Sequence, residues 1–232
     1  MIRPFICTCD KRLDSFKKFI ASYKEKAEEY LLRPIVYYDG TDSEYLKLIE
    51  SINPIEMIEQ GSVMQSVKNK TIDYKVSWEF PLIAESYSED HILFLEDDIL
   101  FSSRFGEAIE KGEKYINDWH SVSAITFFAH KHKYCPDVHN KAKWFFYRFP
   151  SSMYHGNLAV LFRKEFIKLW KEKRKEFWGD EDCGWDWKLS EFLIKNNKDI
   201  YCTHFHYVQH QIGVSAIRGY VKYKEYSSRF IK

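Results

Sequence analysis

Apolar positions along the chain follow two rhythms that take turns. A short unbroken run, PFICTC at 4–9, leads into KRLDSFKKFIASYKEKAEEYL, where Leu13, Phe16, Phe19, Ile20, Tyr23 and Ala27 recur at the spacing of one helix face. The pair repeats as PIVYYDG at 34–40, an apolar run closed by Asp39 and Gly40, followed by a helical pattern around SEYLKLIESI. Alternation of this kind predicts a parallel sheet covered by helices. Residues 54–70 carry little pattern. TIDYKVSWEFPLIAESY at 71–87 reads as a helix that Pro81 should break or restart, because proline lacks the N–H that an interior helical position donates.

HILFLEDD at 91–98 is the most informative run. Successive side chains of a strand point to opposite faces, so Ile92, Leu93, Phe94 and Leu95 are all buried only if both faces of the sheet are covered. This predicts a central strand. Beyond it the pattern gives a helix at SSRFGEAIEKGEKYI, a strand at SAITFFA, a strand or hairpin arm at KWFFYRF and a strand at NLAVLF. A basic amphipathic helix follows at RKEFIKLWKEKRKEF, then an acidic loop running into a helix at GDEDCGWDWKLSEFLIKNN, a strand at DIYCTHF and a histidine-rich end, HYVQHQIG. No repeat or low-complexity tract interrupts the series, and 9 glycines and 6 prolines are too few to mark a linker. One α/β domain over 1–232 is the expectation.

Composition narrows the function classes. At 232 residues with 45% hydrophobic content the chain can bury a full core. A formal charge of +1 gives no general attraction to nucleic acid or anionic membrane, so recognition of phosphate should be local. Cys7, Cys9, Cys135, Cys183 and Cys202 are odd in number and lack the paired short spacings of a zinc site, which favours a reduced, cytoplasmic protein. MIRPFICTCDKR is interrupted by charge too early for a signal peptide, and no apolar run approaches the roughly 20 residues of a membrane span.

Two acidic stretches carry candidate chemistry. Glu96, Asp97 and Asp98 stand where the central strand leaves the core, the edge at which open α/β sheets gather ligands. Three adjacent carboxylates repel one another and resist burial unless water or a cation accompanies them. In extended geometry Glu96 and Asp98 share one side and Asp97 faces the other, so one carboxylate can hold a divalent cation while another accepts from a sugar hydroxyl. A solvated strand end, or charge favouring the start of the next helix, is the plainer alternative. The second stretch is GDEDCGWDWKL, where Asp186 lies between Trp185 and Trp187 near a helix start. Flanking indoles suit a carboxylate working as a general base, a role equally open to Glu181 or Asp182. A helix-initiating Asp beside core tryptophans is the alternative there. Among nine histidines, His210 stands out because VQHQIG places it after a strand, where its imidazole can reach the ligand edge. Carboxylate plus imidazole suits Mn²⁺ at least as well as Mg²⁺.

Together these segments resemble the GT-A fold glycosyltransferases, in particular the N-acetylglucosaminyltransferase I and II type. FLEDDI is similar to their Glu-Asp-Asp motif, DEDCGWDWKLSEFL to their Trp-Asp-Trp stretch before a helix, and VQHQIG to their later histidine loop. The resemblance implies a Rossmann-like GT-A domain with a mostly parallel central sheet flanked by helices. Residues 1–100 would form the nucleotide-sugar half and residues 101–232 the acceptor and catalytic-base half. It further implies an inverting, metal-dependent transfer from a nucleotide-diphosphate sugar, such as a UDP-sugar, to a hydroxyl of a glycan or glycoprotein. Asp98 and His210 would ligate Mn²⁺ or Mg²⁺, and Glu96 and Asp97 would touch the ribose or sugar. Asp186 would be the base, Thr8 and Arg12 would contact the donor, and Asp39 would approach the nucleobase or ribose. A small viral or bacterial enzyme acting in the cytosol fits the absence of a membrane stem. A metal-dependent sugar nucleotidyltransferase is the competing enzyme, although CTCDKR has no glycine for a phosphate loop. A non-catalytic nucleotide- or carbohydrate-binding module is the competing class.

Overall fold

The computed structural model of the protein describes residues 1–63, 72–128, 145–151, 154, 158–178 and 185–211. Strands β1 (Ile2–Cys9), β2 (Ile35–Asp39), β3 (Glu56–Glu59), β4 (His91–Glu96), β6 (Val122–Thr126), β7 (Phe146–Phe149), β8 (Ala159–Phe162) and β9 (Asp199–Thr203) form one sheet in the order β3-β2-β1-β4-β8-β6-β9-β7. The β3-β2-β1-β4 block is parallel throughout, as is the β6-β9 pair, while β8 runs antiparallel to both β4 and β6, and β7 to β9. Strands β5 (Ile99–Phe101) and β10 (Val208–His210) form a separate antiparallel pair.

The four apolar residues before the acid cluster behave as their pattern requires. Leu93 and Leu95 join a core layer built with helices α1 (Leu13–Lys26), α2 (Ser43–Glu50) and α4 (Phe105–Asp118), through Phe16, Phe19, Tyr45, Phe105 and Ile109. Ile92 and Phe94 point the other way, into a layer built with α3 (Ile72–Glu85), α5 (Lys164–Trp178) and α6 (Trp185–Lys195), through Phe80, Phe166, Trp170, Leu189 and Phe192. Phe80 alone meets the rings of Phe5, Phe94, Phe162 and Trp170 at centroid distances of 4.9–5.6 Å. Burial of apolar surface on both faces is what makes β4 central.

Two sequence expectations are corrected. Helix α3 runs through Pro81 without a break. Proline costs one backbone hydrogen bond there, and Phe80, Ile83 and Ala84 anchor the same turn in the core, so tertiary packing outweighs the local penalty. Residues 56–59 form an edge strand although EMIE carries no apolar run; its ends are exposed glutamates, a composition that discourages pairing with a further strand. Among the described residues no helix is long and apolar enough to cross a membrane.

Candidate metal and donor site

The C-terminal ends of β1, β2 and β4 lie side by side, with Cys9 paired to Asp39 and Cys7 to Glu96. Glu96 is the last residue of β4, while Asp97 and Asp98 form a turn into β5 rather than continuing the strand. The turn still separates the carboxylates as the sequence suggests. Asp97 points back toward β1, where its Oδ2 accepts from the Thr8 hydroxyl at 2.8 Å and from the Cys9 N–H at 3.2 Å. Glu96 and Asp98 converge on the other side with His210, and one ligand atom from each of the three lies within 4.8 Å of the others.

Arg12, in the single 3-10 turn after β1, spans the two aspartates. Its Nη1 donates to Asp98 Oδ2 at 2.6 Å, and its Nη2 sits 2.6 Å from Asp97 Oδ1 without hydrogen-bond alignment. The fork is mostly buried, Asp97 is fully so, and the pair of carboxylates raises the guanidinium further above its ordinary value against the cost of burial. A planar fork of five donors is suited to holding two carboxylates at once.

His210 enters from β10, and its Nε2 is 3.2 Å from Asp98 Oδ2. Its Nδ1 is 2.7 Å from the Gln211 carbonyl. A carbonyl only accepts, so Nδ1 carries a proton and Nε2 is the nitrogen that faces the carboxylates, where its own proton would have to leave before a cation could bind. Burial opposes ionisation at every group here. It pushes Glu96 up to about 8, helped by the like charge of Asp98. It pushes Asp97 up to about 6 against the pull of Arg12. At Asp98 burial is outweighed by His210 and Arg12, which hold the carboxyl below its usual range; at His210 burial is outweighed by Asp98, which raises the imidazole. A cluster that strains to lose negative charge is one that a cation would relieve. Asp98 Oδ1 is buried with no hydrogen-bond partner, which leaves one oxygen of the set for such an ion. Two carboxylates and an imidazole fit Mn²⁺ or Mg²⁺ with water and ligand oxygens completing the shell.

The other expected residues fall as follows. Thr8 is fully buried and its hydroxyl is used on Asp97, so both residues set the frame of the site from within. Asp39 is exposed at the end of β2. Next to it Gly40 holds φ of +140°, and a Cβ there would overlap Asp10, whose Oδ2 accepts from Thr41 N–H at 3.2 Å. Asp186 lies half-buried in the first turn of α6. Tyr154 is buried, which raises its phenol, and the charges of Asp186 and Glu96 raise it further in that order. The Tyr154 segment is tied to α6, since the Ser151 carbonyl accepts from both Tyr154 N–H and the Ser190 hydroxyl. Glu181 and Asp182 lie outside the described residues, as do the side chains of Trp185 and Trp187. Tyr154 and Gln211 escaped the sequence reading. Neither belongs to an acidic or periodic pattern, and their partners come from distant segments.

No protein-family model matches the sequence, and no curated protein matches it. Solved structures do. S. aureus TarS 1-349 in complex with UDP-GlcNAc overlays with a TM-score of 0.63 at 10% identity, covering 95% of this chain and 62% of that one. A second crystal structure of S. aureus TarS 1-349 overlays with a TM-score of 0.58 at 10% identity, covering 91% of this chain and 60% of that one. The chain thus spans about three-fifths of the TarS chain it matches. The likeness establishes the fold, an α/β GT-A arrangement with a mostly parallel sheet flanked by helices.

Proposed function

We propose that this protein is a metal-dependent glycosyltransferase that moves a sugar from a nucleotide-diphosphate donor, a UDP-sugar, to a hydroxyl of a glycan or glycoprotein. The observation that carries the reading is the convergence of Glu96, Asp98 and His210 within 4.8 Å at the strand edge of a fold shared with a protein crystallised with UDP-GlcNAc. The three short segments that resemble the N-acetylglucosaminyltransferase I and II type support the same class.

In this reading Asp98 and His210 hold Mn²⁺ or Mg²⁺, with Glu96 close enough to serve as a third ligand or to accept from the donor sugar. When bound, the cation supplies positive charge to the diphosphate that departs. Arg12, Thr8 and Asp97 fix the carboxylates from behind, and exposed Asp39 receives the nucleobase or ribose. Asp186 accepts the proton of the acceptor hydroxyl as that oxygen bonds to the anomeric carbon and the bond from carbon to the diphosphate oxygen breaks, which inverts the centre. Residues 1–100 then carry the donor, and residues 101–232 carry the acceptor and the base, in a protein working in the cytosol without nucleic acid.

Calorimetry with UDP and UDP-sugars, with and without Mn²⁺, tests the reading together with an assay for release of UDP. Metal-dependent binding and slow hydrolysis of one UDP-sugar are expected. Nucleotide binding that ignores the metal would refute the metal role, and binding without turnover on any acceptor panel would leave a non-catalytic module instead.

A further inference from the structure

We propose that Gln211 is the positioning residue that fixes the His210 imidazole toward Glu96 and Asp98, an inference that rests on the metal reading above. His210 ends β10, a strand of three residues paired among the described residues only to the three of β5. A ribbon that short is marginal by itself, so the imidazole needs a further anchor. Gln211 supplies it from one residue with both its backbone groups and its side chain. Its N–H donates to the Asp98 carbonyl at 2.6 Å, which ties the residue after His210 to the main chain of Asp98. Its own carbonyl accepts from His210 Nδ1 at 2.7 Å, which sets the tautomer that leaves Nε2 for a cation. Its side-chain amide donates to the Ser15 carbonyl of α1 at 3.0 Å and to the Ile99 carbonyl of β5 at 3.3 Å. The residue is 7% exposed, and its Oε1 is buried without a hydrogen bond.

The plain alternative is a core glutamine that merely fills space. An apolar side chain of similar length would fill it without burying an unpaired amide oxygen, which is costly. The donors are therefore what the site uses. They tie the tail bearing His210 to the first turn of α1 and to the start of β5, so the distance between imidazole and carboxylate is set by the fold's first helix as well as by the short ribbon.

The test titrates Mn²⁺ into the full chain and reads imidazole-nitrogen coupling to bound Mn²⁺ by pulsed electron paramagnetic resonance. It compares the parent with His210→Ala, Gln211→Met and Gln211→Asn, each checked for folding by thermal melts in chelator. Gln211→Asn keeps the amide but cannot span both carbonyls, and it carries the test if the Met variant does not fold. Both Gln211 variants keep the backbone carbonyl that faces His210 Nδ1 but lose its side-chain anchor to Ser15 and Ile99, and they should weaken Mn²⁺ binding by about 10-fold and diminish the nitrogen coupling. His210→Ala should abolish the coupling. If His210→Ala binds Mn²⁺ as the parent does, the site reading itself fails. If His210→Ala loses binding while folded Gln211 variants keep parental affinity and coupling, even with a lowered melting point, Gln211 is only structural and the inference is overturned.

Discussion

Replacing Arg12 by methionine removes the sole cation that both Asp97 and Asp98 meet among the described residues, and the consequence can be worked from their geometry. Each carboxylate has an oxygen 2.6 Å from a guanidinium nitrogen, and the side chains are 16%, 0% and 10% exposed for Arg12, Asp97 and Asp98. Taking one partner from a buried ion pair costs about 3–5 kcal/mol, because the remaining charge stays desolvated. Protonation is the escape, and it gives the effect a signature in pH. In the parent, burial already lifts Asp97 from 3.8 to about 6, so its folded form binds the extra proton between those values. That carboxyl lowers stability as pH rises through this window and adds nothing more above it. Without Arg12 its value moves higher, the variant retains the proton past pH 6, and the gap from the parent widens by about 1.4 kcal/mol for each further pH unit and each carboxyl involved. Urea unfolding followed by tryptophan fluorescence, in chelator at pH 6, 7 and 8, reads this gap. A loss of roughly 3 kcal/mol or more at pH 8 that shrinks toward pH 6 is expected. A loss under about 1 kcal/mol, or one that ignores pH, would show that the fork is not what keeps these carboxylates charged. Arg12→Lys should recover part of the loss, since it restores charge without the two-pronged geometry.

Other outcomes follow from the same structure. Asp186→Asn should lower turnover by about 10²–10⁴-fold while UDP binding, read by calorimetry, stays at the parental level; normal turnover would remove Asp186 as the base. Phe80→Ala, at a fully buried ring in the α3 layer, should cost about 3–5 kcal/mol in urea unfolding, and a loss near zero would mean the layer refills the space. His91 is lowered from 6.5, chiefly by burial, and its ring donates from Nε2 to Asn117 Oδ1 at 2.9 Å while Nδ1 accepts from Lys164 N–H at 3.2 Å. Its neutral form belongs to the folded state, so stability should fall as pH drops below about 6.5, where the unfolded chain takes up the proton first. His91→Gln should flatten that limb in melts between pH 7.5 and 5.5 buffers; an unchanged slope would assign it to other groups.

The amphipathic helices and the central strand were legible because their evidence is local. Leu93 and Leu95 face one layer and Ile92 and Phe94 the other, and only a strand covered on both sides can satisfy four apolar neighbours in sequence. The position of the acid cluster was legible for the same reason, since three carboxylates directly after such a run stand where the strand leaves the core. What the sequence left open depends on partners far along the chain. An edge strand with glutamates at both ends takes its shape from β2, not from its own pattern, and Pro81 stays in a helix because Phe80 and Ile83 are held by the core. Arg12 reads as a donor contact, and only the fold shows that the turn after β4 also brings Asp97 and Asp98 around its fork. Thr8 reads likewise, and only the fold shows that its hydroxyl donates to Asp97. Local periodicity fixes which face of an element is buried, and charge spacing fixes where water or an ion must come. The approach of His210 to Asp98 belongs to neither, because around it Gln211 donates its backbone N–H to Asp98 and its side-chain amide to Ser15 and Ile99, and a carbonyl looks the same in every residue of a sequence.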